Sequence, residues 1–200
     1  MQKIEPITID LGLPSGTLWA DRNLGAESVT DYGDYYMWGS TEPDTDKVCY
    51  WAHAPFNGGF VLPNTDMFET FRNEAFPDGV LLDQYDAAHF QLVGNWHMPT
   101  NEQFQELIDY TDSEWISVGG INGRRFTSKT NGESIFIPAA GYRSGSCVLY
   151  VGSRVRLWGS ALCSSSTYYA YHLHFYSGNC YVDYHNCDYG FIIRPVFREI

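Results

Sequence analysis

Two hundred residues, 44% hydrophobic and 16% aromatic, suffice for one globular domain with a sizeable core. A net charge of −12 with only 12 Lys and Arg argues against nucleic-acid binding, which needs cations to displace phosphate counterions, and against adhesion to anionic lipid. No run approaches the ~20 apolar residues that span a bilayer, so direct membrane insertion is not expected, and no charged-then-apolar leader follows Met1.

In chain order, residues 11–20 (LGLPSGTLWA) read as a short strand, a Pro-Ser-Gly turn and a second strand. Residues 32–40 (YGDYYMWGS) have strand propensity from their aromatics, with Gly33 and Gly39 as bends. A helix is predicted over 83–92, where Tyr85, Ala88 and Leu92 share a face. A second is better signalled: Thr100 follows Pro99 as N-cap, and Gln103 stands where a capping box needs it. Its buried stripe is Phe104, Leu107 and Ile108, and it ends near Tyr110.

Short strands follow. Asn122-Gly123 and Asn131-Gly132 are predicted hairpin turns. Ile135 and Ile137 alternate with Phe136, which leaves the buried face open. Residues 154–158 form another strand candidate. Leu173 and Phe175 alternate with His172, His174 and Tyr176; Ser177-Gly178-Asn179 is a turn, and Val182 alternates with Tyr181 and Asp183. The closing FIIRPVF is a buried strand until Pro195. With no repeat or linker, one α+β domain over residues 1–200 is expected: two helices with short, mainly antiparallel strands and long loops.

Enzyme signatures are missing: there is no G-x-S-x-G, no H-E-x-x-H and no phosphate-cradling glycine loop. The five cysteines (Cys49, Cys147, Cys163, Cys180 and Cys187) are odd in number and lack CxxC spacing, which argues against a disulfide framework or finger-type zinc site. A Cys180–Cys187 bridge is the minority alternative. His172, His174 and His185 with Cys163, Cys180 and Cys187 superficially resemble metal ligands, and Asp44 with Asp46 a cation site. Neither is preferred, and no metal or cofactor is expected. Trp19, Trp38, Trp96, Trp115 and Trp158 read as core.

The most informative segment is 160–190, SALCSSSTYYAYHLHFYSGNCYVDYHNCDYG. It holds seven of the fifteen tyrosines, three of six histidines and three of five cysteines, yet no Trp, Lys, Gln, Glu or Met. Those five types are the ones that codons ending in a pyrimidine cannot encode. Elsewhere they occupy roughly one position in six, so their shared absence is uncommon. Randomised adenines in AAC codons would yield this vocabulary without stop codons. Tyrosines among small polar residues also copy the composition of antibody paratopes, where Tyr supplies rigid contact area at low entropic cost. The competing reading is a half-buried sheet face using Tyr for β-propensity.

The motifs LGLPSGTLWA, YGDYYMWGSTEP, WHMPTNEQFQEL, TSKTNGESIFIPAAGYR and GFIIRPVF together resemble a family of bacterial and phage domains with the C-type lectin fold. Within it, 160–190 resembles the variable region of a diversity-generating retroelement protein. The resemblance implies a reverse transcriptase that copies a template RNA with errors at adenines and rewrites the 3′ end of the gene. It implies scaffold positions at Ala170, Leu173, Phe175, Ser177, Gly178, Val182 and Gly190. The diversified, ligand-binding positions it implies are Cys163, Ser165, Ser166, Tyr168, Tyr169, Tyr171, His172, His174, Tyr176, Asn179, Tyr181, Asp183, Tyr184, His185, Asn186, Asp188 and Tyr189. Strand alternation is expected to turn these outward. Cys187, where relatives often carry Arg, and Cys180, which shares its parity with Val182, stay open between the two sets. The implied function is non-catalytic recognition of a protein or glycan on another cell surface, by a protein displayed on a cell or phage virion. Two rivals share the scaffold: a fixed-sequence surface adhesin or glycan-binding module, and an enzyme related to the formylglycine-generating group, for which no paired active cysteines can be assigned.

Overall fold

The structure, a computed structural model, describes residues 5–44, 80–163 and 169–197. Cys49, Asp46, Ser165, Ser166 and Tyr168 lie outside the described residues. The fold is mixed: two α-helices and twelve strands, paired antiparallel in four small sheets, among the described residues. No described helix is long and apolar enough to cross a membrane.

Strands β1 (Thr8–Asp10) and β2 (Leu18–Ala20) pair across the Pro-Ser-Gly turn, the first lying a few residues earlier than expected. They are joined by β12 (Val196–Phe197) and β3 (Trp96–His97), so both chain ends share one sheet. The expected strand before Pro195 is thus corrected: Phe191 and Ile192 form only isolated bridges, and the strand of the closing segment follows the proline. Fully buried Arg194 locks this region: it donates to Asn23 Oδ1, Ala20 O and Phe136 O at 2.8, 3.0 and 2.8 Å. Three well-made bonds compensate a desolvation that pulls its pKa down to about 9.

The first predicted helix is a 3-10 turn (Asp83–Tyr85) followed by α1 (Ala87–Gln91), with Asp86 between them as N-cap. The second helix, α2 (Asn101–Tyr110), matches its signal. Thr100 Oγ1 accepts from the Gln103 amide and Gln103 Oε1 from the Thr100 amide, the reciprocal capping box. Phe104 and Leu107 are fully buried.

Strands β4 (Thr111–Val118), β5 (Ile121–Ser128) and β6 (Ser134–Pro138) form a meander. Asn131-Gly132 lies in the β5–β6 turn, as expected. Asn122-Gly123 does not turn: the β4–β5 hairpin closes on Gly119-Gly120, both at positive φ, and 122–123 are already within β5. Gly123 is required for packing instead, because a Cβ there would stand 2.3 Å from the Ile137 carbonyl oxygen. Ile135, Phe136 and Ile137 are all buried, which explains why alternation could not choose their face. Residues 32–40 form one bridge, Tyr36 to Phe191, and no strand. Their aromatics serve the core: Trp38 Nε1 donates to Gly159 O and Trp158 Nε1 to Tyr36 O.

A small hairpin, β7 (Tyr142–Ser144) and β8 (Cys147–Leu149), precedes the last sheet, ordered β11 (Cys180–Asn186), β10 (Tyr169–Tyr176), β9 (Arg154–Leu162). Two hydrophobic clusters flank that sheet. Leu173, Phe175, Val155 and Leu157 pack with α2, the meander and Trp19 on one face. Trp158 and Ala170 pack with Phe191, Tyr36, Trp38 and α1 on the other. Trp115 is half-buried, whereas the four other tryptophans of the predicted core set are buried.

Candidate functional site

The segment 160–190 supplies the end of β9 and the whole β10–β11 hairpin. Its register pairs Tyr171 with Tyr184, Leu173 with Val182, and Phe175 with Cys180. Residues paired in this way share a face, so one side of the hairpin grades from core to surface. Leu173 and Phe175 are fully buried against α2, while Tyr184 at the other end is 50% exposed. Tyr169 and Tyr171, both half-buried, lie 5.6 and 6.3 Å from the Tyr184 ring. The three rings restrain one another, which lowers the entropy to be lost when a partner covers them.

The opposite face carries His172, His174, Tyr176, Tyr181, Asp183 and His185. Alternation separates them correctly from Leu173 and Phe175, but this side is not open to solvent. His172 is fully buried and His174 is 6% exposed. Trp158 and Phe191 stand edge-on to His172, with ring centres 5.9 and 5.1 Å away, and Tyr181 covers His174 at 5.1 Å. The expectation that both histidines turn outward is therefore corrected. Cys163 is corrected too: it is 3% exposed, at the point where its amide donates to Tyr169 O. Among the described residues expected to vary, only Tyr176, Asn179 and Tyr184 are plainly exposed; the others except these three buried ones are half-buried.

Arg156 organises the second face. Its guanidinium lies 4.2 Å over the Tyr142 ring and 5.4 Å over Phe191, and its Nε and Nη1 have no hydrogen-bond partner. Burial, then this neighbouring cation, pulls the His172 pKa well below the ordinary imidazole value and those of His174 and His185 down to about 4. His185 Nδ1 accepts the Asn186 amide, consistent with a neutral ring. At neutral pH the three histidines are uncharged aromatic polar groups.

The hairpin tip is fixed from below. Arg124 donates to the Tyr176 carbonyl at 2.7 Å and to Ser113 Oγ at 2.8 Å. Tyr176 N donates to Asn179 O, and Asn179 Oδ1 accepts the Cys180 amide, so Asn179, expected both in the turn and among the varied positions, takes part in building the turn. Cys180 and Cys187 remain thiols, packed against different clusters. Asp44, considered with Asp46 for a cation, is instead buried 3.9 Å from Arg143 Nε.

Residues outside the restricted segment complete the rim. Tyr142 stands 5.6 Å from Tyr150 and 5.9 Å from Tyr189, and Arg154 lies 4.3 Å over Tyr150. Tyr150 is 48% exposed and is the one described non-glycine residue at positive φ, a strained position for a side-chain-bearing residue. Nothing in the local sequence announces these residues, because the backbone that brings them to the hairpin is remote from it. Comparison of the chain with protein-family models, curated proteins and solved structures returns no match.

Proposed function

We propose that this chain is a non-catalytic ligand-binding domain of the C-type-lectin fold whose hairpin surface is rewritten by a diversity-generating retroelement. One observation carries the reading: the restricted vocabulary of 160–190 takes in the whole β10–β11 hairpin, whose Leu173 and Phe175 anchor it while Tyr169, Tyr171, Tyr176 and Tyr184 crowd its margins. Tyrosines at the margin of a rigid sheet suit recognition of a protein or glycan on another cell surface, with display on a cell or virion. Thiol chemistry of the formylglycine-generating kind is disfavoured by Cys180, whose thiol burial pushes up to about 11, and by Cys187, pushed higher still; a protonated thiol is a poor nucleophile.

A fixed-sequence adhesin on the same scaffold is the second reading. The burial of Cys163, His172 and His174 favours it, since interior positions tolerate random exchange poorly. Sequencing the 3′ end of the gene and its flanking DNA from several clones separates the two. Variation within 160–190, with a nearby imperfect repeat carrying adenines at the differing bases and a reverse-transcriptase gene, is the expected result. Identical 3′ ends and no repeat would overturn the diversification reading and favour the adhesin.

A further inference from the structure

Away from the hairpin, three elements converge on a second polar cluster: Asp83 in the 3-10 turn, His89 on α1 and His97 on β3. His89 Nε2 lies 3.6 Å from Asp83 Oδ2, and His97 Nδ1 lies 3.7 Å from Asp83 Oδ1. One ligand atom from each residue falls within 4.8 Å of the other two. The imidazoles are stacked, with centres 4.8 Å apart and planes at 19°.

The other ring nitrogens decide what this arrangement means. His89 Nδ1 faces the Trp96 carbonyl oxygen at 3.2 Å, and His97 Nε2 faces Asn95 Oδ1 at 2.9 Å. Carbonyl oxygens only accept, so these nitrogens carry the protons. In neutral rings, the lone pairs are then on His89 Nε2 and His97 Nδ1, the two atoms beside the Asp83 carboxylate. Two imidazole nitrogens and a carboxylate brought together in this way are a donor set that suits a divalent transition-metal ion; His97 Nδ1 also lies 3.8 Å from Asp86 Oδ2. The separations of 3.6 and 3.7 Å, each to a different Asp83 oxygen, are long for hydrogen bonds, and one ligand atom from each residue lies within 4.8 Å of the others, a spacing that an ion about 2.1 Å from its ligands can draw together.

Asp86 holds the pieces in place. Its Oδ1 accepts the Ala88 and His89 amides and its Oδ2 the Met98 amide, tying the start of α1 to the end of β3. The hydrogen bonds to Trp96 O and Asn95 Oδ1 orient the rings in the way outer partners orient metal-bound histidines.

We propose that Asp83, His89 and His97 bind one divalent transition-metal ion of the zinc class, with water in the remaining position. Asp83 is 67% exposed on its side chain, so the ion reaches the site from solvent. Two imidazoles and a carboxylate suit zinc better than calcium, which prefers oxygen ligands alone. The other such cluster, His172 with His174 and Asp183, is a poorer host: the Arg156 cation acts on both histidines, and Asp183 Oδ1 already accepts the Tyr184 amide. The proposal is independent of the hairpin's function.

The test is calorimetric titration of zinc chloride into the chelator-treated full chain, free of any histidine tag, with cobalt(II) absorption as a second readout. One ion per chain and a tetrahedral cobalt spectrum are expected. Asp83→Ala should weaken zinc binding by about tenfold or more and abolish that spectrum, while His174→Gln should leave both unchanged. Asp83 is exposed, so its replacement leaves the fold intact, which circular dichroism checks. Failure of the wild-type chain to bind zinc, or loss of binding in His174→Gln but not in Asp83→Ala, would overturn the assignment.

Discussion

His172→Phe measures what it costs this scaffold to bury a polar ring. His172 is fully buried, and neither of its ring nitrogens has a hydrogen-bond partner. An unsatisfied buried polar atom costs about 1–3 kcal/mol. Phenylalanine removes both orphaned nitrogens and keeps an aromatic ring against Trp158 and Phe191, although its larger outline returns about 1 kcal/mol or more as overpacking. A net stabilisation of about 1–2 kcal/mol at pH 7.5 is expected, or roughly 2–8 °C in Tm for a chain of this size.

The same substitution predicts a pH signature. Burial holds the folded-state pKa of His172 well below 6.5, so in acid the unfolded chain takes up a proton that the folded chain refuses. Wild-type stability therefore falls as pH drops below about 6.5, with a limiting slope near 1.4 kcal/mol per pH unit. Phenylalanine does not titrate, so its advantage should grow by about 1 kcal/mol between pH 6.5 and pH 5.5. Urea unfolding at the two pH values, followed by circular dichroism, measures both quantities. A variant less stable than wild type at both, with no widening of the gap in acid, would refute the argument and mean that the His172 nitrogens are satisfied in solution.

Two further substitutions divide the hairpin into anchor and surface. Leu173→Ala empties a fully buried position in the larger cluster and should cost about 2–5 kcal/mol in chemical unfolding. Replacing Tyr169, Tyr176 and Tyr184 together with Ser should shift Tm by only a few degrees while abolishing binding to an identified ligand; a collapse of folding would make those rings core.

What could be read from the sequence was decided by how local each signal is. The capping box of α2 needs only Thr100 and Gln103, and it was legible to the residue. Asn122-Gly123 carried a local turn signal that lost to a stronger one three residues earlier, Gly119-Gly120, and Gly123 answered a packing demand from Phe136 and Ile137. The aromatics of 32–40 signalled a strand yet fill the core through bonds to Gly159 and Trp158, more than a hundred residues away. Alternation separated Leu173 and Phe175 from His172 and His174, but it says which side a residue faces and not what covers that side. The cover is built by Trp158, Phe191, Tyr142 and Arg156, all outside the hairpin. Similarly, Asp83, His89 and His97 share no motif spacing and meet only through the packing of α1 against β3.

This two-sided burial sharpens what diversification of the hairpin would look like. If every position of 160–190 varied equally, the buried ones would regularly receive residues costing several kcal/mol, a large part of the stability of a single domain. Variation across clones should therefore be graded by burial. Tyr176, Asn179 and Tyr184, which face solvent, should accept charged, polar and aromatic residues alike, within the limits of the turn that Asn179 builds. Positions 163, 172 and 174 should be restricted to small or aromatic uncharged side chains, because burial penalises any charge at all three and Arg156 adds to the penalty on a cation at 172 and 174. Deep sequencing of the variable repertoire, compared before and after selection for soluble folded protein, measures the gradient. Lysine or glutamate recovered at position 172 as often as at position 184 after that selection would mean that the second face is open in solution, and the division between anchored and variable residues would have to be redrawn.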